Sequence, residues 1–155
     1  MYATPQNLLD RFDVRLLGDL CQDGNSRLSE AALLTNTKLS EALKDASGMV
    51  ESAALVGKRY EVTDLSGLTG NSKSLLVRIV CDLAIVWLCQ RRGYSVKDKF
   101  PMADESLKIL DRIRLGERVF NVEAVVEAAS ASTVEGHINL TNEYFISRTN
   151  KMFVN

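Results

Sequence analysis

The stretch that decides the fold is Ser72-Lys73-Ser74-Leu75-Leu76-Val77-Arg78-Ile79-Val80-Cys81-Asp82-Leu83-Ala84-Ile85-Val86-Trp87-Leu88-Cys89-Gln90-Arg91-Arg92. Leu75, Leu76, Ile79, Val80, Leu83, Ala84, Val86 and Trp87 cover most of the circumference of one long helix, and Gly93 stands ready as its stop. A helix that is apolar nearly all round belongs in the middle of a core. Its most apolar window, Leu75 to Cys89, is too short to cross a bilayer and carries Arg78 and Asp82 inside it. The two cysteines within it, Cys81 and Cys89, read as small hydrophobes in packing.

Upstream, a second long helix starts near Asn36-Thr37. Leu39, Leu43, Ala46, Val50 and Ala53 recur at spacings of four and three, while Glu41, Lys44, Asp45 and Ser52 fall opposite. The stripe is rich in alanine, and Gly48 and Gly57 lie close by, so another backbone can approach it closely. The helix is expected to end between Gly57 and Tyr60, with Glu61 to Asn71 as a loop. Two short helices precede it: one opened by Thr4-Pro5 and carrying Leu8, Leu9 and Phe12, the other from Val14 to Cys21 with Leu16, Leu17 and Leu20. Gln22 to Ser26 is a turn.

Downstream, Arg91-Arg92-Gly93-Tyr94-Ser95-Val96-Lys97-Asp98-Lys99 is a basic connection. A further helix opens near Pro101 to Asp104 and brings Leu107, Leu110 and Ile113 onto one face before Gly116. Arg112, Arg114 and Arg118 gather at its C-terminal end, where cations suit the helix dipole. Beyond Phe120 the texture changes. Val122 to Ala129 reads as a short helix and Ser130 to Gly136 as a linker. The rest, with Ile138, Leu140, Tyr144 and Ile146, alternates like an extended arm able to form a short strand. Such a segment, ending in Met152, Phe153 and Val154, needs a surface to dock on. The expected architecture is therefore all-α: a small bundle of two long central helices plus shorter ones over residues 1–129, then a linker and docking arm over residues 130–155.

Composition agrees with this reading. The 155 residues are 46% apolar and 25% charged, with only two prolines, nine glycines and 6% aromatics, a thin supply of turn and strand formers for an all-β protein. Nineteen Lys and Arg against 20 Asp and Glu exclude a strongly basic nucleic-acid binder. The charge is nevertheless segregated, because residues 71–118 hold ten basic and six acidic side chains. Three cysteines cannot all pair within the chain, and no basic start followed by an apolar run opens it, so a reducing, cytoplasmic setting is expected.

The catalytic inventory is thin. Gly67-Leu68-Thr69-Gly70-Asn71-Ser72-Lys73-Ser74 has the spacing of a phosphate-cradling loop, but Ser72 stands where the second glycine belongs and no strand–helix alternation surrounds it. The better reading is a helix start with Ser72 as its cap. His137 is the one histidine, and no nucleophile, base and acid can be grouped around it. No metal, cofactor or enzymatic activity is expected. The basic loop, through Arg91, Arg92, Lys97 and Lys99, is the candidate contact for phosphate or an acidic partner.

Three segments carry a family resemblance. They are the opening Tyr2-Ala3-Thr4-Pro5-Gln6-Asn7-Leu8-Leu9-Asp10-Arg11-Phe12, the helix Leu39-Ser40-Glu41-Ala42-Leu43-Lys44-Asp45-Ala46-Ser47 running to Arg59-Tyr60, and the helix through Cys81-Asp82-Leu83-Ala84 to Arg91-Arg92. In that order, followed by the helix Ser106 to Leu115, they resemble the Mu-type head–tail adaptor (head completion) proteins of tailed phages. The chain departs from that pattern after Tyr60, where Glu61 to Leu68 contains no proline. The resemblance implies a structural virion protein: a ring of copies between portal and tail through which DNA passes without sequence specificity. It implies as partners the portal protein, a tail-side stopper or tail-terminator protein, and further copies of the chain, with no membrane. Its place would be the head–tail junction, after a period in the host cytoplasm. The arm residues Ile138, Leu140, Tyr144, Phe145, Ile146, Arg148 and Phe153 are the candidate partner contacts. The alternative reading is a small helical nucleic-acid-binding or regulatory module working through the loop 91–99.

Overall fold

The computed structural model describes residues 1–24, 28–95 and 100–121. Seven helices occupy these residues, and no strand is present among them: α1 (Pro5–Leu9), α2 (Val14–Cys21), α3 (Glu30–Leu34), α4 (Thr37–Gly57), α5 (Val62–Gly67), α6 (Gly70–Arg91) and α7 (Pro101–Arg114). The all-α bundle expected from the sequence is the fold. The expected helix at 122–129 and the arm beyond it lie outside the described residues.

Helices α4, α6 and α7 pack on one another and make the body. The start of α4 lies beside the end of α6, because Lys38 and Arg91 both reach Asp23. The end of α4 lies beside the end of α7, where Gly57 and Gly116 meet. Hence α6 runs against the other two. On α4 the buried stripe contains the five predicted positions, Leu39, Leu43, Ala46, Val50 and Ala53. Asn36 caps this helix, its side-chain oxygen accepting from the N–H groups of Lys38 and Leu39 at 3.0 and 3.3 Å.

Helix α6 is the most enclosed, with Ile79, Val80, Cys81, Leu83, Ala84 and Cys89 essentially without solvent contact. Its apolar surface is not closed all round, however. Helix α7 begins opposite Asp82 and Ile85, with Met102 and Ala103 beside them, short of the α6 C-terminus. Trp87, beyond that point, is 42% exposed. The glycine stop operates as expected: Gly93 takes φ 71°, the Tyr94 N–H bonds the Cys89 carbonyl at 2.9 Å, and the Gly93 N–H bonds that of Gln90 at 3.0 Å. The same double closure ends α7, with Gly116 at φ 78° and bonds from Glu117 to Arg112 and from Gly116 to Ile113, both 3.0 Å.

Four details differ from the sequence reading. Residues 61–71 are not one loop, since they contain α5, which buries Leu65. A short helix, α3, capped by Ser29, buries Leu33 where no element was foreseen. Helix α6 starts at Gly70 with Thr69 as its N-cap, so Ser72 lies inside the first turn and is not the cap. On α7 the inward face is Ala103, Ser106, Leu110 and Ile113, while Leu107 is turned toward solvent.

The short helices close one flank. Thr4 and Asn7 form a reciprocal cap on α1: the Thr4 N–H donates to the Asn7 side-chain oxygen at 2.9 Å, and the Asn7 N–H to the Thr4 hydroxyl at 3.4 Å. Leu8 and, on α2, Leu17 and Leu20 are fully buried. Phe12 stacks edge-on against Phe100, ring centres 6.3 Å apart, which ties the α1–α2 connection to the start of α7.

Candidate interaction surface

The sequence pointed to four basic residues as a contact site, and the structure treats them differently. Arg91 folds back onto the end of α2. Its Nη2 donates to the Leu20 carbonyl at 2.6 Å and its Nη1 to Asp23 at 2.7 Å. Lys38 reaches the Cys21 carbonyl at 3.3 Å and the same Asp23. Two cations therefore satisfy the last carbonyls of α2 and share one carboxylate, a cap built from outside the helix. Arg92 is exposed at the α6 C-cap. Lys97 and Lys99 lie outside the described residues, as do the arm candidates from Ile138 to Phe153.

Next to this cap is a shallow groove of about 350 Å³ between the first half of α4 and the end of α6. Its floor includes Ala42, Trp87 and Leu88, and its rim Glu41 and Asp45. The Trp87 indole N–H points to the Met49 sulfur at 3.4 Å, which holds the ring against α4. Lys38 and Arg91 also border the groove and share the one carboxylate of Asp23, whereas Glu41 and Asp45 are exposed and make no ion pair among the described residues, so three acids face two bases. The uncompensated charge there is negative.

A second groove, about 440 Å³, runs between α4 and α7 and is lined by Met49, Val56, Leu107 and Arg114, among others. It ends at the contact between Gly57 and Gly116. A Cβ on Gly57 would fall on the Ile113 carbonyl oxygen closer than any real Cβ approaches, so glycine is what lets the ends of α4 and α7 touch. Gly48, the other glycine on α4, faces open space. Around the contact stand Val56, Lys58 and Leu115, the last 77% exposed and the most exposed large apolar side chain among the described residues.

The described body ends in a clamp that the sequence did not disclose. Tyr60 is buried, and its hydroxyl accepts from the N–H groups of Val119 and Phe120 at 2.7 and 2.8 Å while donating to the Phe120 carbonyl at 3.3 Å. The two rings meet edge to face at 5.4 Å. One residue on, the Asn121 N–H donates to the Ser72 hydroxyl at 3.1 Å. The chain thus leaves the body pinned to the end of α4 and the start of α6. The only sequence signal was the Arg59-Tyr60 pair at a helix end.

One carboxylate is buried. Asp82, 5% exposed, accepts from the Ser106 hydroxyl at 2.6 Å, with Arg78 Nε 3.7 Å away and Arg78 itself paired to Glu105 at 2.5 Å. Burial raises the Asp82 pKa above the ordinary range, and the Ser106 hydrogen bond and the Arg78 charge offset part of that rise. This group joins α6 to α7 and opens only onto a narrow crevice beside Phe100. Cys21 and Cys81 are buried thiols, and burial pushes Cys81 up to about 12, so neither is a reactive thiolate at neutral pH.

The phosphate-loop lookalike is not a loop. Gly67 closes α5, only Leu68 and Thr69 separate the helices, and residues 70–74 are already in α6. Ser72 is committed to Asn121. Among the described residues no helix is long and apolar enough to cross a membrane.

The arrangement is thus a helical body with an acidic aromatic groove at one place, an apolar basic patch at another, and an anchored chain exit. No curated protein and no solved structure matches the chain. The family model described as bacteriophage Mu, Gp36 matches residues 2–137 of the 155. With most of its length matched in one piece, the chain belongs to the bacteriophage Mu Gp36 family.

Proposed function

We propose that this phage protein is a head–tail adaptor, a structural subunit that assembles as a ring between portal and tail and leaves a passage for DNA. The observation that carries the reading is the family match over residues 2–137, joined to the ordered resemblance of its helices to head-completion proteins. The body supports it. A ring subunit must offer two unlike surfaces to its neighbours, and this one has an acidic groove and a basic, apolar patch on the same bundle.

In this reading the partners are the portal protein on one side, a stopper or terminator protein on the tail side, and copies of the chain around the ring. DNA passes without being read. The arm residues Ile138, Leu140, Tyr144, Phe145, Ile146, Arg148 and Phe153 dock on the portal or a neighbouring subunit, adding a strand to an exposed edge. The protein would reside at the head–tail junction of the virion and in the host cytoplasm beforehand.

Attachment of the purified full chain to DNA-filled, portal-bearing capsids, followed by electron microscopy of the vertex, tests the proposal. A ring of extra density at the portal is expected, lost when the chain is cut at Gly136. Binding to capsids that lack the portal vertex, or no binding at all, would overturn it.

A further inference from the structure

We infer that the acidic groove of one copy receives the Gly57–Gly116 patch of a second copy, head to tail. The inference rests on the adaptor reading only for its biological setting, since both surfaces are defined by residues of the described body.

The groove offers Trp87, held by Met49 and 42% exposed, between the unpaired carboxylates of Glu41 and Asp45. An aromatic floor with an acidic rim suits an aliphatic side chain flanked by cations. The patch carries that chemistry. Leu115 projects beside Gly116, Val56 beside Gly57, and Lys58 and Arg114 border them without an ion pair among the described residues. Of the other charges nearby, Arg112 is matched by Glu117 and Asp111 lies with Arg114 along the α4–α7 groove, so the patch remains net positive.

Asp45 and Val56 are about 16 Å apart along α4 at the rise of a helix. A head-to-tail contact uses the groove of one copy and the patch of the next, leaves one groove and one patch open, and propagates until rotation closes it into a ring, whereas a twofold pairing would use both contacts at once and stop at a dimer. The Gly57–Gly116 contact is what draws Val56, Lys58 and Leu115 into one patch, and the Arg91–Asp23 pair is what removes positive charge from the groove.

Charge reversal tests this in the full chain. Glu41→Lys with Asp45→Lys makes both surfaces positive, and Lys58→Glu with Arg114→Glu makes both negative. All four positions are exposed, so both proteins should stay folded, with melting temperatures lowered only by the small cost of reversing a charge at a helix end. Sedimentation of the wild type over a wide concentration range should show self-association that continues past a dimer, with a blue shift of emission from Trp87, the chain's one tryptophan. Each variant alone should associate at least about tenfold more weakly, the order expected for like charges brought together at a rim. An equimolar mixture of the two should associate again, because every groove then meets a patch of opposite sign. A mixture that stays monomeric, variants that associate like wild type, or a wild type that never associates or stops at a dimer would overturn the inference. Capsid attachment is scored separately, so failure to bind portal would refute the adaptor reading while leaving this contact standing.

Discussion

The backbones of Gly57 and Gly116 meet with no side chain between them: a Cβ on Gly116 would stand 2.9 Å from the Gly57 carbonyl oxygen, and one on Gly57 would overlap the Ile113 carbonyl. Gly57→Ala should therefore force the ends of α4 and α7 apart and cost about 1–3 kcal/mol, the range for overpacking a close contact. Gly116→Ala should cost a similar amount, since φ 78° adds left-handed strain of about 1–2 kcal/mol. Gly48→Ala should do the opposite, gaining about 0.5–1 kcal/mol in an open helix interior. Urea denaturation of the three variants decides it. Equal effects at Gly48 and Gly57 would contradict the close approach.

Tyr60→Phe keeps the ring against Phe120 but removes the hydroxyl that two N–H groups share. Phe120 is buried, so its N–H would be left without an acceptor, at about 1–3 kcal/mol. Hydrogen exchange should accelerate at Val119 and Phe120 and change little in the middle of α6. Unchanged protection at those two amides would show that the hydroxyl holds nothing.

Asp82 has the unusual sign for a carboxylate. Its folded pKa is raised, so the folded state holds the proton more tightly than the unfolded chain does, and stability falls as pH rises from the unfolded value through the folded one. Asp82→Asn keeps an acceptor for Ser106 and removes the buried charge. It should match or exceed wild-type stability at pH 7, with any gain vanishing as pH falls below about 4, where the unfolded carboxyl becomes protonated too. Ser106→Ala should lose about 1–3 kcal/mol, the range for a buried polar group left without its partner, and less in acid, where the protonated carboxyl needs the hydroxyl less. Thermal melts across that range give both signs, and a gain for Asp82→Asn that grows in acid would refute the burial argument.

Arg91→Ala should lower stability, because the Leu20 carbonyl loses its partner and Asp23 one of its two, whereas Arg92→Ala should leave the melting temperature within its error. A loss of about 1–2 kcal/mol at Arg91 is the expected size for a charged hydrogen bond at a half-buried site, reduced by solvent. Indistinguishable melts for the two variants would mean that the cap on α2 is not holding.

What could be read in advance followed the length over which a pattern repeats. Helices α4 and α6 run 21 and 22 residues, and the stripe Leu39, Leu43, Ala46, Val50, Ala53 fixes the buried face of α4 without any knowledge of its neighbours. Five- and six-residue helices leave no such repeat, and α1 was legible only through its Thr4-Pro5 opening. Helix α5 buries one leucine, Leu65, and α3 one, Leu33, so each was invisible until a partner surface was present. The face of α7 was misjudged by one position because Ser106 is polar. It is buried only because Asp82, 24 residues away, receives its hydroxyl. The same limit hid the Tyr60 clamp, whose partners lie 59 and 60 residues on. For the candidate surface, the sequence supplied Arg91 as a cation but not Asp23 as its counter-ion, 68 residues away.

The clamp at Tyr60 also decides where mechanical load goes. A pull on the chain beyond Asn121 meets the Ser72 hydroxyl first, then the paired amides of Val119 and Phe120 on Tyr60, and only afterwards the last turn of α7. Tension is handed to the end of α4 and the start of α6 at once, so the two longest helices take the strain together and α7 is not peeled from the bundle. Whatever the terminal segment grips, the body is moored to it like a rope made fast at two cleats.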